Sequence, residues 1–76
     1  MSGNARGKLK EEFEGIHRNL DWVRFHSQKC KLLLGETHPE IHAMLDALIA
    51  EMTVLDDGAA RIYSTLLIMV VVLLVV

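Results

Sequence analysis

The sequence is poor in the residues and motifs on which enzyme chemistry depends. A single cysteine, Cys30, stands among 76 residues, so no internal disulfide can form, and a free thiol suits a reducing compartment. The sequence has no glycine-rich phosphate loop, and nothing near Cys30 would activate it as a nucleophile. The net charge of −2 gives no bulk attraction to nucleic acid. We therefore expect no enzyme, no cofactor, no small-molecule substrate and no nucleic-acid partner.

Signals for export and for β-structure are also missing. The first seven residues, MSGNARG, have no apolar core of the kind that a signal peptide carries, and we expect residues 1–7 to form a flexible N-terminus. No segment alternates apolar and polar residues as a half-buried strand does. The sequence therefore predicts an all-α fold.

The charges stop at Arg61, and the sequence closes on the apolar run YSTLLIMVVVLLVV. From Ala59 onward this run spans about 27 Å as a helix, close to what a thin bilayer with a hydrocarbon core of about 30 Å requires. Arg61 and Tyr63 are typical of a membrane-interface anchor. We predict a C-terminal transmembrane helix over 58–76. The alternatives are burial in a larger assembly and an aggregating strand.

The predicted span defines a tail-anchored, single-pass integral membrane protein with the lipid bilayer as a partner. All eight lysines and arginines precede the uncharged run 62–76, and Arg61 lies at the start of the predicted span. The positive-inside rule therefore predicts that the N-terminal portion is cytosolic.

Before the apolar run, apolar residues recur every three or four positions on two segments, which indicates one side of an amphipathic helix in each. We take these residues as the helix–helix interface. In the first segment they are Leu9, Phe13, Ile16, Leu20, Val23 and Leu34, and in the second Ile41, Leu45, Leu48, Met52 and Leu55.

Turn signals separate the two segments and set their bounds. Gly35 occupies the position of a glycine that closes a helix in the left-handed conformation. Thr37 and Glu40 form a capping-box pattern around Pro39, which is favoured in a first helical turn. We predict an antiparallel helical hairpin over 8–57, with helices at about 8–34 and 38–57 and a turn at 35–38. The second helix would continue into the membrane, with a hinge at 56–58.

The two helices differ in charge and expose more apolar surface than one hairpin can cover. Residues 1–36 carry seven basic and five acidic side chains, whereas residues 37–61 carry one basic and five acidic ones. This complementarity favours pairing of the two helices, although each exposed ion pair contributes little. A hairpin of this size is marginal alone. We expect it to assemble with itself as a homo-oligomer or with a larger membrane protein complex.

The function predicted from these features is that of a non-enzymatic structural or regulatory subunit that acts through helix–helix assembly. The alternative is a holin-like or channel-forming protein that permeabilises a membrane, although the apolar run has no polar stripe to line a pore. A further arrangement lays the first helix flat on the membrane, since Trp22 and Phe25 lie among basic residues.

The four histidines and the cysteine raise the question of a metal site. His26 and Cys30 are four residues apart, as are His38 and His42, so each pair can share a helix face. In a hairpin that turns near residue 36, however, His26 lies about 12 Å along the axis from His38. The sequence therefore predicts no metal site.

Overall fold

The fold is a helical hairpin. A computed structural model describes the backbone of residues 3–75 and the side chains of residues 5–73. Helix α1 runs over Gly3–Leu34 and helix α2 over Pro39–Val75. The two helices pack against each other, so the predicted all-α hairpin is confirmed. Because α1 begins at Gly3, it includes most of the segment for which the composition predicts flexibility; Met1 and Ser2 lie outside the described residues.

A four-residue turn reverses the chain, and it is built around two residues with positive φ. Gly35 adopts φ 62°, and its N–H donates to the carbonyls of Lys31 and Leu32 at 3.2 Å. This is the left-handed C-terminal cap that the sequence predicts for a glycine at this position. His38 follows with φ 54°, an uncommon conformation for a residue other than glycine.

The start of α2 differs from the predicted capping box. Pro39 is the first helical residue, so the N-cap position belongs to His38, whose carbonyl accepts the N–H groups of Ile41 at 3.0 Å and His42 at 3.1 Å. The hydroxyl of Thr37 instead donates backward to the Leu34 carbonyl at 2.5 Å. Thr37 therefore closes α1 rather than opening α2, because proline's fixed φ favours the first helical position and sets the cap one residue before it.

The helices lie alongside each other in an elongated body of 59 × 19 × 9 Å. The rings of Phe13 and Tyr63 meet with centroids 5.2 Å apart, which fixes the level of one helix against the other. Leu66 and Val70 continue the same side of α2 and are also partly buried. Helix α2 passes through the predicted hinge at 56–58 as one uninterrupted element.

Packing between the two helices leaves the interior shallow. Among the side chains that the structure describes, no hydrophobic one is fully buried, and the most enclosed residue is Ser27 at 4% exposure. The Ser27 hydroxyl donates to the Val23 carbonyl at 2.7 Å, so its polar atom is satisfied within α1.

The prediction of a membrane anchor is wrong. Within the described part of the chain, neither helix contains a stretch that is long and apolar enough to span a membrane. The predicted tail-anchored, single-pass localisation is therefore wrong, and so is the cytosolic orientation derived from it.

The reason lies in the charges that flank the apolar run. Between Arg61 and the last described side chain, Leu73, the uncharged stretch extends only about 18 Å as a helix, against about 30 Å of hydrocarbon. Any longer window within the described side chains takes in Arg61 and then the two aspartates before it. The predicted span also includes residues 74–76, which lie outside the described side chains.

The proposed interface anchor, Arg61 and Tyr63, has a different place in the structure. The Tyr63 ring is partly buried against Phe13 of α1. Arg61 is exposed on the hairpin surface. Tyr63 therefore belongs to the contact between the helices.

Candidate helix–helix interface

The contact within the hairpin is formed by a row of side chains on each helix, which we call the packed row. Its members are partly or fully buried and recur every three or four residues, with one gap of seven on α1. On α1 the packed row consists of Phe13, Leu20, Arg24, Ser27, Lys31 and Leu34 and continues toward the N-terminus through Leu9 and Ala5. On α2 it consists of His42, Leu45, Ile49, Met52, Asp56, Ala59, Tyr63, Leu66 and Val70.

The residues predicted to form the helix–helix interface divide into a partly buried group and an exposed group. Six of the partly buried residues belong to the packed row: Leu9, Phe13, Leu20, Leu34, Leu45 and Met52. Leu48 is partly buried beside it. Ile16, Val23, Ile41 and Leu55 are exposed.

The exposed members of the predicted interface belong to a second row, which we call the apolar flank. Its members are seven residues apart on each helix. Each comes one residue before a member of the series 17, 24 and 31 on α1 or of the series 42, 49, 56, 63 and 70 on α2. The apolar flank consists of Ile16, Val23 and Cys30 on α1 and of Ile41, Leu48, Leu55, Ile62 and Met69 on α2. All but Leu48 are exposed.

The two halves of the apolar flank lie on the same broad face of the hairpin. A step of one residue turns a side chain by about 100° around the helix axis. The apolar flank lies one residue back along the chain from the packed row on both helices. Because the helices run in opposite directions and their packed rows face each other, this step turns both halves of the flank toward the same side of the hairpin. Phe13 lies level with Tyr63, so Val23 lies near the level of Leu55. The result is one continuous apolar face along the hairpin.

The opposite broad face is more polar. It carries the residues that come one position after 13, 20 and 27 on α1 and after 45, 52, 59 and 66 on α2. These residues are Glu14, Asp21, Gln28, Asp46, Thr53, Ala60 and Leu67. We call this set the polar flank. An apolar pattern over the packed row and one flank only is typical of a helix in a bundle, which packs against two neighbours.

Charged groups enter the contact between the helices at Asp56. Its carboxylate accepts hydrogen bonds from His17 Nδ1 at 2.8 and 2.9 Å and from Arg24 at 3.0 Å. These bonds, that of His17 first and that of Arg24 second, hold the pKa of Asp56 below its usual 3.8. Hydrogen bonds to Asp56 and then to Asp21 raise the pKa of Arg24. The cluster joins the middle of α1 to the middle of α2.

A second charge contact lies nearer the turn, where Lys31 donates to the carboxylate of Asp46. Together with Lys10, His17 and Arg24, Lys31 completes a set of basic residues spaced seven apart on α1. This spacing keeps them on one side of the helix, and it could have been read in the sequence. The attraction between these basic residues and acidic α2 favours turning this side of α1 toward α2. Some of the regularly spaced apolar residues of α1 therefore lie on the apolar flank and not in the contact between the helices.

The outer side of α1 carries an aromatic cluster. Trp22 stacks on Phe25 with centroids 5.3 Å apart, and the His26 ring meets Trp22 edge-on at 4.6 Å. Lys29 Nζ lies 5.0 Å from the centre of the Phe25 ring, within cation–π range. Trp22 is 60% exposed, so this cluster is a surface feature separate from the packed row.

A groove of about 440 Å³ opens beside the Phe13–Tyr63 contact. The small side chains of Ala59 and Ala60 leave room there, and Lys10, Glu14 and Arg18 line its rim. Its mixed charges favour no single class of ligand.

The candidate metal ligands are dispersed. His26 lies in the aromatic cluster, His38 Nδ1 is 3.6 Å from Glu40, and Cys30 is exposed on the apolar flank. His42 Nε2 is enclosed without a hydrogen-bond partner. Among the described residues, no three histidine, cysteine or acidic side chains are grouped as a metal site would require.

Comparison with known protein families, with curated proteins and with solved structures finds no match for this chain.

Proposed function

We propose that the chain is a non-enzymatic structural or regulatory subunit that acts by helix–helix assembly, and that the apolar flank is its contact surface. One observation carries the proposal. Among the described side chains no hydrophobic residue is fully buried, while the apolar flank, except for Leu48, remains exposed on one face. A surface of this kind marks a protein–protein interaction site.

The energetics support this proposal. Two helices that share a shallow contact bury little apolar surface against the entropy of ordering the chain, so the hairpin alone is only marginally stable. Leu55 and Ile62 are 54% and 57% exposed, so covering each adds about 1 kcal/mol of apolar burial. Association costs about 4–15 kcal/mol. Covering the flanks of both partners offsets a cost of that size.

The alternative of membrane permeabilisation requires a helix that crosses the bilayer. No observation on the described residues favours it, and the assembly proposal does not depend on a membrane.

The proposal is tested by changing the apolar flank without changing the packed row. In the variant Val23→Asp/Leu55→Asp both new charges replace exposed side chains, so the hairpin itself keeps its internal contacts. We expect the tagged full-length variant to elute from native cell extract at the size of the single chain, whereas the unmodified chain elutes as a larger species.

The matched control places the same charges on the polar flank, as Gln28→Asp/Thr53→Asp. It should elute with the unmodified chain. Equal elution of all three proteins would contradict the proposal. Circular dichroism on each purified chain shows whether helix content is retained.

A further inference from the structure

We propose that the partner covering the apolar flank is a second copy of this chain, related by a two-fold axis parallel to the helices, so that the two turns lie at the same end of a four-helix bundle. This inference rests on the assembly function proposed above and adds the identity and orientation of the partner.

The shape of the apolar flank suits a two-fold contact. Such a contact uses the same patch on both partners, and the patch must therefore complement itself. Both helices contribute a row with a seven-residue repeat, about 21 Å long on α1 and about 42 Å long on α2, on a face measuring 59 × 19 Å. Stable interfaces bury about 800 Å² on each partner, and this face is large enough to supply it.

Two arrangements bring the apolar flanks of two copies face to face. An axis parallel to the helices sets α1 of one copy against α2 of the other. An axis across the helices sets α1 against α1 and α2 against α2, with the turns at opposite ends. In both arrangements, neighbouring helices are antiparallel, so helix direction does not choose between them.

Charge favours the first arrangement. Residues 1–36 carry an excess of two basic side chains, and residues 37–61 carry an excess of four acidic ones. Setting α1 against α2 of the other copy pairs unlike charge. The crossed axis would place two acidic helices side by side, which costs binding energy. The same charge difference already operates within the hairpin at Asp56 and Lys31.

The parallel axis also predicts which residues meet. Within one hairpin, Cys30 on α1 and Leu48 on α2 lie at nearly the same position along the helix axes. A two-fold axis parallel to the helices leaves that position unchanged in the second copy. Cys30 of one chain therefore lies beside Leu48 of the other, within about 3 Å along the axis. A crossed axis through the middle of α1, near the level of Leu20, would instead bring Cys30 toward Leu9 in the second copy.

Disulfide trapping between two differently tagged full-length chains tests this contact. One chain keeps Cys30, its only cysteine, and the other carries Cys30→Ser/Leu48→Cys. After mixing and mild oxidation, we expect a disulfide-linked pair of unlike chains as the main product. The control Cys30→Ser/Ala47→Cys has its thiol on the exposed outer side of α2 at the same level, and it should cross-link at least tenfold less.

A third chain, Cys30→Ser/Leu9→Cys, reports the crossed axis. Preferential linkage of Cys30 to this cysteine would overturn the orientation proposed here. Equal linkage to positions 47 and 48 would overturn the contact itself.

Sedimentation equilibrium on the purified chain separates this inference from the assembly function. We expect twice the chain mass of 8.6 kDa, and the single mass for Val23→Asp/Leu55→Asp. A single mass for the unmodified chain at about 100 µM, well above the micromolar range of ordinary interfaces, would overturn the second-copy inference. If its size in extract still depended on the flank, the assembly function would stand with another partner.

Discussion

Asp56 joins the two helices by accepting hydrogen bonds from both His17 and Arg24 of α1. Replacing it with asparagine keeps the shape and removes the charge. We expect Asp56→Asn to lower the free energy of unfolding at neutral pH, since the Arg24 guanidinium loses its carboxylate partner across the contact. Urea titration followed by circular dichroism measures this, with Asp57→Asn, on the exposed neighbour, as control.

The lowered pKa of Asp56 predicts the pH dependence of this contribution. Because the folded chain holds this pKa below 3.8, the carboxylate stabilises the fold fully above the unfolded value of about 4. The contribution is lost as the pH falls through the folded value. We expect the unmodified chain to keep its advantage over Asp56→Asn down to about pH 4 and to lose it as the pH falls further. Parallel stability curves for the two proteins would contradict this prediction.

At the scale of the elements, two glycines have opposite roles. Gly35 adopts φ 62° at the end of α1, where alanine costs about 1–2 kcal/mol. Gly58 lies inside α2, where an added Cβ would contact nothing within 4 Å and where alanine is favoured by about 1 kcal/mol. We therefore expect Gly35→Ala to lower the unfolding midpoint and Gly58→Ala to raise it. Thermal melts of the two variants side by side measure both shifts.

If Gly58→Ala lowered the midpoint instead, the uninterrupted course of α2 through this position would be in question. The sequence pattern around Asp56 to Gly58 predicted a hinge there, whereas α2 continues through it. A single glycine weakens a helix without ending it when packing on both sides holds the helix in place.

The pairing of the helices could be predicted from the sequence, and the rotation of each helix about its own axis could be predicted only in part. Apolar spacing located both segments, and Gly35 marked the end of the first. The apolar spacing did not show whether Val23 or Arg24 faces α2, because each belongs to a series of residues spaced seven apart. In the structure Arg24 faces α2, where it pairs with Asp56. The prediction of a membrane span was wrong for a different reason: it took Arg61 as an anchor at the membrane surface, whereas the uncharged described stretch after Arg61 is too short to cross a membrane.

At the scale of the whole molecule, stability should depend on protein concentration. A hairpin in which no described hydrophobic side chain is fully buried gains most of its apolar burial on association, and binding to the folded state raises apparent stability by mass action. We expect the midpoint of thermal unfolding to rise across a hundredfold increase in concentration. Val23→Asp/Leu55→Asp should melt at one temperature throughout, and a concentration-independent midpoint for the unmodified chain would argue against coupled folding and assembly.

The stacked pair of Trp22 and Phe25 has an optical consequence. Trp22 is the only tryptophan, and it lies on the outer side of α1, away from the apolar flank. Its fluorescence should therefore emit at the long wavelengths of a hydrated indole, and burial of the apolar flank should leave the emission unchanged. A blue shift on mixing with another molecule would report contact at the back of α1, so the chain carries its own spectroscopic probe of that surface.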